Sequence, residues 1–341
     1  MTNFSHFDNN HSINYDSDYQ ENYEFDFTEM LQRLEQVAPE IISFSIYLAL
    51  GLFLNILVIM SFAKFSELRN TLTTFLFFTA VSHLLPIVFL LPFQIVSYLM
   101  SHWIFGAALC KIVPYIGHLV PVFTTRMLFI VATYTLMAVK FNTFGRIIFQ
   151  QHHVWKYTCL MAIASCLVCV PVLFEFNIHD DGHQGVGCYK KHEELMQFNQ
   201  TMLGLLIALL VAMMVFYWTA YRNMKSTPDM RDTVHFRVEP EERAEILEIQ
   251  TENVSISLQD MKMMWIISVV NGMLQLPSWL IESVSISDTA TAGLFLFLRI
   301  LYILECVLYI IFPMIYGIVS PNFRTCFRKL LCCCCRNKAD K

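Results

Sequence analysis

Apolar residues fall in seven long blocks along this chain, at about 41–63, 72–100, 107–139, 157–176, 201–221, 262–285 and 293–319. Each block is near the ~20 residues that an α-helix needs to cross the hydrocarbon core of a bilayer. Irregular backbone cannot face lipid with its N–H and C=O groups unpaired, so blocks of this length are expected to be helices. An odd number of crossings puts the two termini on opposite sides. The stretch from Trp103 to Lys140 differs from the rest: it carries His118, Thr124, Thr125 and Arg126 inside an otherwise apolar run. Polar residues of that kind predict a helix surrounded by protein, hence central in the bundle.

The polar connections set the orientation. Segment 64–71 holds Lys64 and Arg69 against Glu67, and segment 140–156 holds Lys140, Arg146 and Lys156 with no acid. The chain after Ser320 is rich in Arg and Lys, with Asp340 as its only acid, whereas segments 101–106 and 286–292 have almost no basic charge. Basic loops stay in the cytosol, so the amino terminus is expected outside and the carboxyl terminus inside, in the plasma membrane. Most of the 11 cysteines then lie within apolar runs or in the block Cys332–Cys335. Only Cys110 and Cys188 fall on the outer side, where disulfides persist. Their pairing would pin the loop between the fourth and fifth helices to the top of the third.

The ends and the longest loop add candidate chemistry. Residues 1–40 hold nine Asp or Glu against Arg33, and Asn3 and Asn10 begin glycosylation acceptor triplets on the outer side. Tyr15, Tyr19 and Tyr23 sit among acids, which reads either as a solvated tail or as sulfatable tyrosines that recruit a basic ligand. No cleavable signal precedes the first apolar run. The loop at 222–261 begins basic and turns acidic at Glu239, Glu241, Glu242, Glu245 and Glu248, either a helical extension or a solvated segment. Within 320–341, Phe323, Phe327, Leu330 and Leu331 recur at helical spacing between basic residues, an amphipathic helix for the inner leaflet. Cys332, Cys333, Cys334 and Cys335 would follow at headgroup level, suited to palmitoylation. Four adjacent cysteines cannot easily close a tetrahedral metal site.

Composition narrows the function. At 56% hydrophobic and 15% charged, the chain is no ordinary soluble domain. Nothing pairs a nucleophile with a base or builds a metal site, so neither an enzyme nor a cofactor is expected, and no nucleic-acid partner. Neither an inverted repeat nor a carboxylate series along one pore speaks for a transporter or channel.

Several fragments, in this order and spacing, make residues 41–331 resemble the rhodopsin-like (class A) G-protein-coupled receptors. They are Leu54-Asn55-Ile56-Leu57-Val58, Leu91-Pro92-Phe93, Trp103-Ile104-Phe105-Gly106 with Cys110-Lys111, Pro277, Pro313 with Tyr316, and Phe323-Arg324-Thr325-Cys326-Phe327. The piece from Cys110 to Tyr115 is most similar to the peptide-binding branch. The resemblance implies an all-α membrane protein, a seven-transmembrane helix bundle over 41–319 with an amphipathic eighth helix. It also implies an extracellular ligand, a heterotrimeric G protein engaged by 140–156, 222–261 and the eighth helix, and arrestin. With no Ser or Thr from Cys332 onward, arrestin phosphosites would be Ser226, Thr227, Thr233, Thr251, Ser255 and Ser257.

Departures from the family pattern cluster at the switch. Cys306 stands where an opsin has its retinal lysine, and Gly117 where amine receptors have an aspartate. The arginine that latches the third and sixth helices is Thr135 here, its acidic partner Ser257, the second helix's buried aspartate His83, and the asparagine before Pro313 is Phe312. A sodium site of carboxylate and amide oxygens cannot form from those residues. The triad below the pocket reads Thr125, Ala208 and Asn271.

Helical spacing draws the pocket from His118 on the third helix, Gln275, Trp279 and Glu282 on the sixth, and Arg299, Tyr302 and Glu305 on the seventh. With the acidic tail this mouth is net negative, which steers a basic peptide toward it. His83, Thr124, Thr125, Asn271, Gln275 and Glu305 lie at membrane depth and are expected to bond to one another, because an unpaired polar group there costs several kcal/mol. Such a network fixes packing, or it is a rebuilt conformational switch in which Glu305 and His83 trade charge. Two functions follow: a peptide receptor that signals through a G protein, or an atypical or decoy receptor that binds ligand without coupling.

Overall fold

The computed structural model of the chain describes residues 27–100, 102–140, 149, 151–180, 186–190, 196–226, 233–234, 256–283 and 292–336. It has two units, Met1–Pro39 and Glu40–Lys341. Six helices are long and apolar enough to span a membrane, and a bent pair makes a seventh crossing. They are α1 (Phe27–Lys64), α2 (Thr71–Met100), α3 (Gly106–Lys140), α4 (Gln151–Cys169 with Val172–Glu175), α5 (Met196–Ser226), α6 (Leu258–Glu282) and α7 (Ala292–Cys306 with Leu308–Val319). An eighth helix, α8 (Pro321–Arg336), follows directly.

α3 is the centre of the bundle. It buries 61% of its most apolar window, against 22% for α4 and 28% for α5. α1, α3 and α5 run past their apolar blocks at both ends, because polar ends keep the same backbone bonds once clear of lipid, whereas α4 and α6 stop at Glu175 and Glu282, short of the ends of theirs. Prolines mark the irregularities. At Pro86, which brings no N–H to the ladder, α2 loosens into a π-helical turn over Pro86–Leu90. α4 breaks before Pro171. α7 bends by 42° at Val307, a break that no proline at that position announces.

Between α4 and α5, β1 (Phe176–Asp180) pairs antiparallel with β2 (Val186–Lys190), placing Ile178 opposite Cys188. A disulfide joins Cys188 to Cys110 near the start of α3. Gly106 opens α3 at φ 76°, a conformation that only glycine adopts without strain. The Trp103 indole donates to its carbonyl at 2.9 Å, and Trp103, Phe105 and Phe93 meet edge to face.

At the opposite end of the bundle, Asn70 caps α2 through the Thr73 N–H at 2.9 Å. The Arg69 guanidinium donates to the last carbonyls of α1, those of Phe62 and Ala63. Phe149 is a plug that the apolar pattern did not reveal. Its ring lies 5.5 Å from both Tyr134 and Tyr157, and its carbonyl accepts from Thr71 at 3.3 Å.

α8 corrects one expectation. Its apolar face does not all turn to the leaflet: Phe323 is buried and stacks on Tyr316 of α7 at 5.5 Å. The Phe327 ring sits so close to Gly317 that a Cβ there would come within 3.1 Å of it. Leu330 is buried and Leu331 exposed, while Cys326 sits buried on the inner face with its thiol pushed up chiefly by desolvation. Short strands β3 (Thr233–Val234) and β4 (Ile256–Ser257) pair within the 222–261 loop. Asn3, Asn10, Tyr15, Tyr19, Tyr23 and residues 239–250 lie outside the described residues, as do the side chains of Arg299, Ser257 and Cys332 to Cys335.

Candidate functional site

Three polar groupings sit along the axis of the bundle, each including a residue of α3; the first two join it to α6 and the third to α2. The first lies toward the disulfide end. His118 places Nδ1 2.9 Å from the Pro114 carbonyl, one turn earlier, and Nε2 3.3 Å from Glu282 Oε2 on α6. His118 has 15% of its side chain exposed and Glu282 33%, so the pair faces an open cleft rather than the core. Glu305 on α7 lies within electrostatic range of both. Two carboxylates and one imidazole thus converge from three helices. The end of α6 is held in place by α5: Asn199 donates to the Glu282 carbonyl at 3.2 Å and Gln200 to the Ser283 carbonyl at 3.3 Å. Both carbonyls lie where α6 ends, so the two amides tie the start of α5 to that end.

Trp279 and Tyr302 flank this cleft as packing residues. The Trp279 indole is 5% exposed among Val122, Cys169, Met202 and Leu206, and its ring meets His118 edge-on at 5.8 Å. Tyr302 packs edge-on against Phe44 at 5.8 Å.

The second grouping is a closed ring below the cleft. Thr125 Oγ1 donates to Gln275 Oε1 at 3.0 Å, Gln275 Nε2 donates to Asn271 Oδ1 at 2.9 Å, and Asn271 Nδ2 donates to Thr125 Oγ1 at 3.0 Å. Gln275 also reaches the Pro121 carbonyl at 3.4 Å. All three side chains are at most 3% exposed. Gln275 therefore stands beneath the cleft and links α3 to α6, where its spacing along α6 suggested a ligand contact. Asn271 and Gln275 are one turn apart on α6, the spacing that lets two amides bond along one face.

The third grouping favours a packing network over an exchange of charge between Glu305 and His83. His83 on α2 instead meets Thr124 Oγ1 at 3.2 Å, and its ring packs on Tyr309 (5.6 Å) and Phe312 (5.5 Å) of α7. These partners are a hydroxyl and two rings, and none is anionic. Replacing sodium chloride by choline chloride at constant ionic strength is accordingly expected to leave ligand affinity unchanged; a sodium-dependent shift would show that carboxylates build a cation site elsewhere. Beside this grouping, Asn55 Nδ2 donates to the Gly51 carbonyl at 2.9 Å and to the Tyr309 carbonyl at 2.7 Å, tying α1 to α7. The Tyr309 carbonyl is the one that Pro313, lacking an N–H, cannot serve.

Toward the end opposite the disulfide, Thr135 is buried and its hydroxyl donates at 2.8 Å to Val131 of its own helix. Pro277 leaves α6 a single helix. Arg126, part-buried on α3, donates to Ser165 of α4 at 3.1 Å.

A family model described as the seven-transmembrane receptor (rhodopsin family) matches residues 54–316. The chain is similar to neuropeptide Y receptor type 6 of Mus musculus, 32% identical over 77 residues (22% of this chain, 21% of that protein). It is similar to cholecystokinin receptor type A of Rattus norvegicus, 32% identical over 123 residues (36% of this chain, 26% of that protein). A third relative is lysophosphatidic acid receptor 6 of Gallus gallus, 42% identical over 69 residues (20% of this chain, 22% of that protein). The matched segments span about a fifth to a quarter of these relatives' lengths. With the family model covering most of the bundle, from within α1 to near the end of α7, the chain belongs to the rhodopsin family of seven-transmembrane receptors.

Proposed function

We propose that this protein is a cell-surface receptor for a basic peptide, with its amino terminus outside, signalling through a heterotrimeric G protein. The observation that carries this reading is the convergence of Glu282 and Glu305 on His118 in a cleft below the disulfide-tethered hairpin. A guanidinium or ammonium group of a ligand is a stronger partner for Glu282 than an imidazole at 3.3 Å, and would take its place. Two of the relatives named above are receptors for neuropeptide Y and cholecystokinin. The third is named for lysophosphatidic acid, an anionic lipid, and two carboxylates in the cleft oppose an anion. The acidic tail of residues 1–40 would add to the steering of a cation.

The second reading, a receptor that binds ligand without turning over G protein, is favoured by Thr135 and its bond within its own helix. An arginine there would span to α6; a threonine hydroxyl does not. The deciding measurement is basal and ligand-stimulated nucleotide exchange in cells expressing the chain, beside ligand-driven internalisation. Exchange with the unmodified chain is the result expected. Internalisation without exchange by any G-protein family, with exchange appearing in Thr135→Arg, would establish the second reading instead.

A further inference from the structure

A cavity of about 500 Å³ opens between α1, α2 and α4 at the end of the bundle opposite the disulfide. Its depth follows from its walls. Phe62 is in the last turn of the span that ends at Lys64, Phe77 and Phe78 are in the second turn of the span that begins at Thr71, and Trp155 is in the first turn of the span that begins at His153. The cavity therefore straddles the boundary between hydrocarbon and headgroups. Its floor is aromatic: Phe62 stacks on Phe77 at 4.6 Å, and Phe77 meets Phe78 edge-on at 5.3 Å. Its rim is cationic. Arg69 lines it, held by the carbonyls at the end of α1 through Nε and one terminal nitrogen, which leaves the other free to donate outward. Trp155 is 54% exposed, and the Lys156 ammonium stands 5.9 Å from its ring. Among the described residues, no carboxylate lines the cavity.

We propose that this cavity binds one anionic glycerophospholipid. An acyl chain lies on the phenyl floor, and the phosphate with its anionic headgroup meets Arg69 and Lys156, with Trp155 at the interfacial depth where indoles settle. Apolar floor and cationic rim follow one another in the order that such a lipid presents along the bilayer normal. A sterol, with a single hydroxyl as its polar group, would leave both cations unused, and a cytosolic peptide would have to enter hydrocarbon to fill the floor. The site rests on the crossing of the bilayer alone; it is independent of the ligand and of G-protein coupling.

Native mass spectrometry tests it, on the full chain released from nanodiscs of equimolar phosphatidylcholine and phosphatidylserine. The phosphatidylserine adduct is expected to predominate. Lys156→Gln is expected to lower it about fivefold, the effect of one basic residue near an anionic surface. Trp155→Ala lowers it as well, and both residues are exposed, so neither substitution threatens the fold. Arg222→Gln, an equal change of charge at the exposed end of α5, leaves it unchanged. Equal adducts of both lipids would overturn the proposal. So would wild-type behaviour of both cavity variants, an equal loss in Arg222→Gln, or displacement of phosphatidylserine by added cholesterol.

Discussion

Replacing Asn271 by leucine is expected to destabilise the receptor by about 1–3 kcal/mol, and the same holds for Thr125→Val and Gln275→Leu. Each member of the ring both gives and accepts a hydrogen bond, so each single replacement breaks two bonds and strands two polar groups at membrane depth. Interhelical hydrogen bonds in membranes average only about 0.6 kcal/mol. The stranded groups, more than the lost bonds, therefore set the size of the effect. The sharper expectation concerns the triple variant. With all three side chains apolar no polar group of the ring is left without a partner, and the Pro121 carbonyl that Gln275 also touches keeps its place in the α3 ladder, so most of the loss is recovered. Thermal unfolding in detergent is the measurement. A triple variant as unstable as the three singles added together would show that the ring does not act as a unit. Because the ring joins α3 to α6, the singles are also expected to raise basal nucleotide exchange if the chain couples, by biasing the two helices toward separation.

A second large effect is expected at Asn55. Asn55→Ala removes the donor that serves the Tyr309 carbonyl, whose helical partner is missing because position 313 is proline. A buried carbonyl without a donor costs about 1–3 kcal/mol. In a Pro313→Ala background the alanine N–H returns to that carbonyl, and Asn55→Ala should cost less than half as much. A double-mutant cycle on thermal stability reads the coupling directly. An equal cost of Asn55→Ala in both backgrounds would mean that Asn55 acts through its bond to Gly51 or through packing, not through the proline-freed carbonyl.

Some of this was legible in the order of residues. Apolar blocks of bilayer length have one solution for their backbone, so seven crossings followed from periodicity and length alone. His118, Thr124, Thr125 and Arg126 placed the third crossing at the centre, and α3 is the most buried of the spans searched. Helical spacing put Gln275, Trp279 and Glu282 on one face of α6. Depth along that face was not legible. Residues seven apart differ by about 10 Å along the axis, which is enough to leave Glu282 33% exposed while Gln275 is sealed 1% exposed beneath it.

Other features had no local signal. The Phe149 plug is one of three phenylalanines in residues 141–150, with nothing local to single it out, and its partners Tyr134, Tyr157 and Thr71 come from three different helices. The bend at Val307 has neither proline nor glycine beside it, and the β1–β2 hairpin offers only the short alternation Phe176-Asn177-Ile178-His179.

By itself, then, the sequence determined the number of crossings, the central place of Trp103–Lys140, the two cysteines that pair, and the absence of the family's arginine at Thr135. Those depend on hydrophobicity and covalent order, which each segment carries alone. Only the tertiary structure decided how the buried polar residues sort themselves: Thr125 with Asn271 and Gln275, His83 with Thr124, and Asn55 with the carbonyl freed by Pro313. At membrane depth any donor accepts any nearby acceptor, so composition says that partners will be found. Which ones they are depends on how each helix is rotated and shifted along its axis, and packing against its neighbours fixes both.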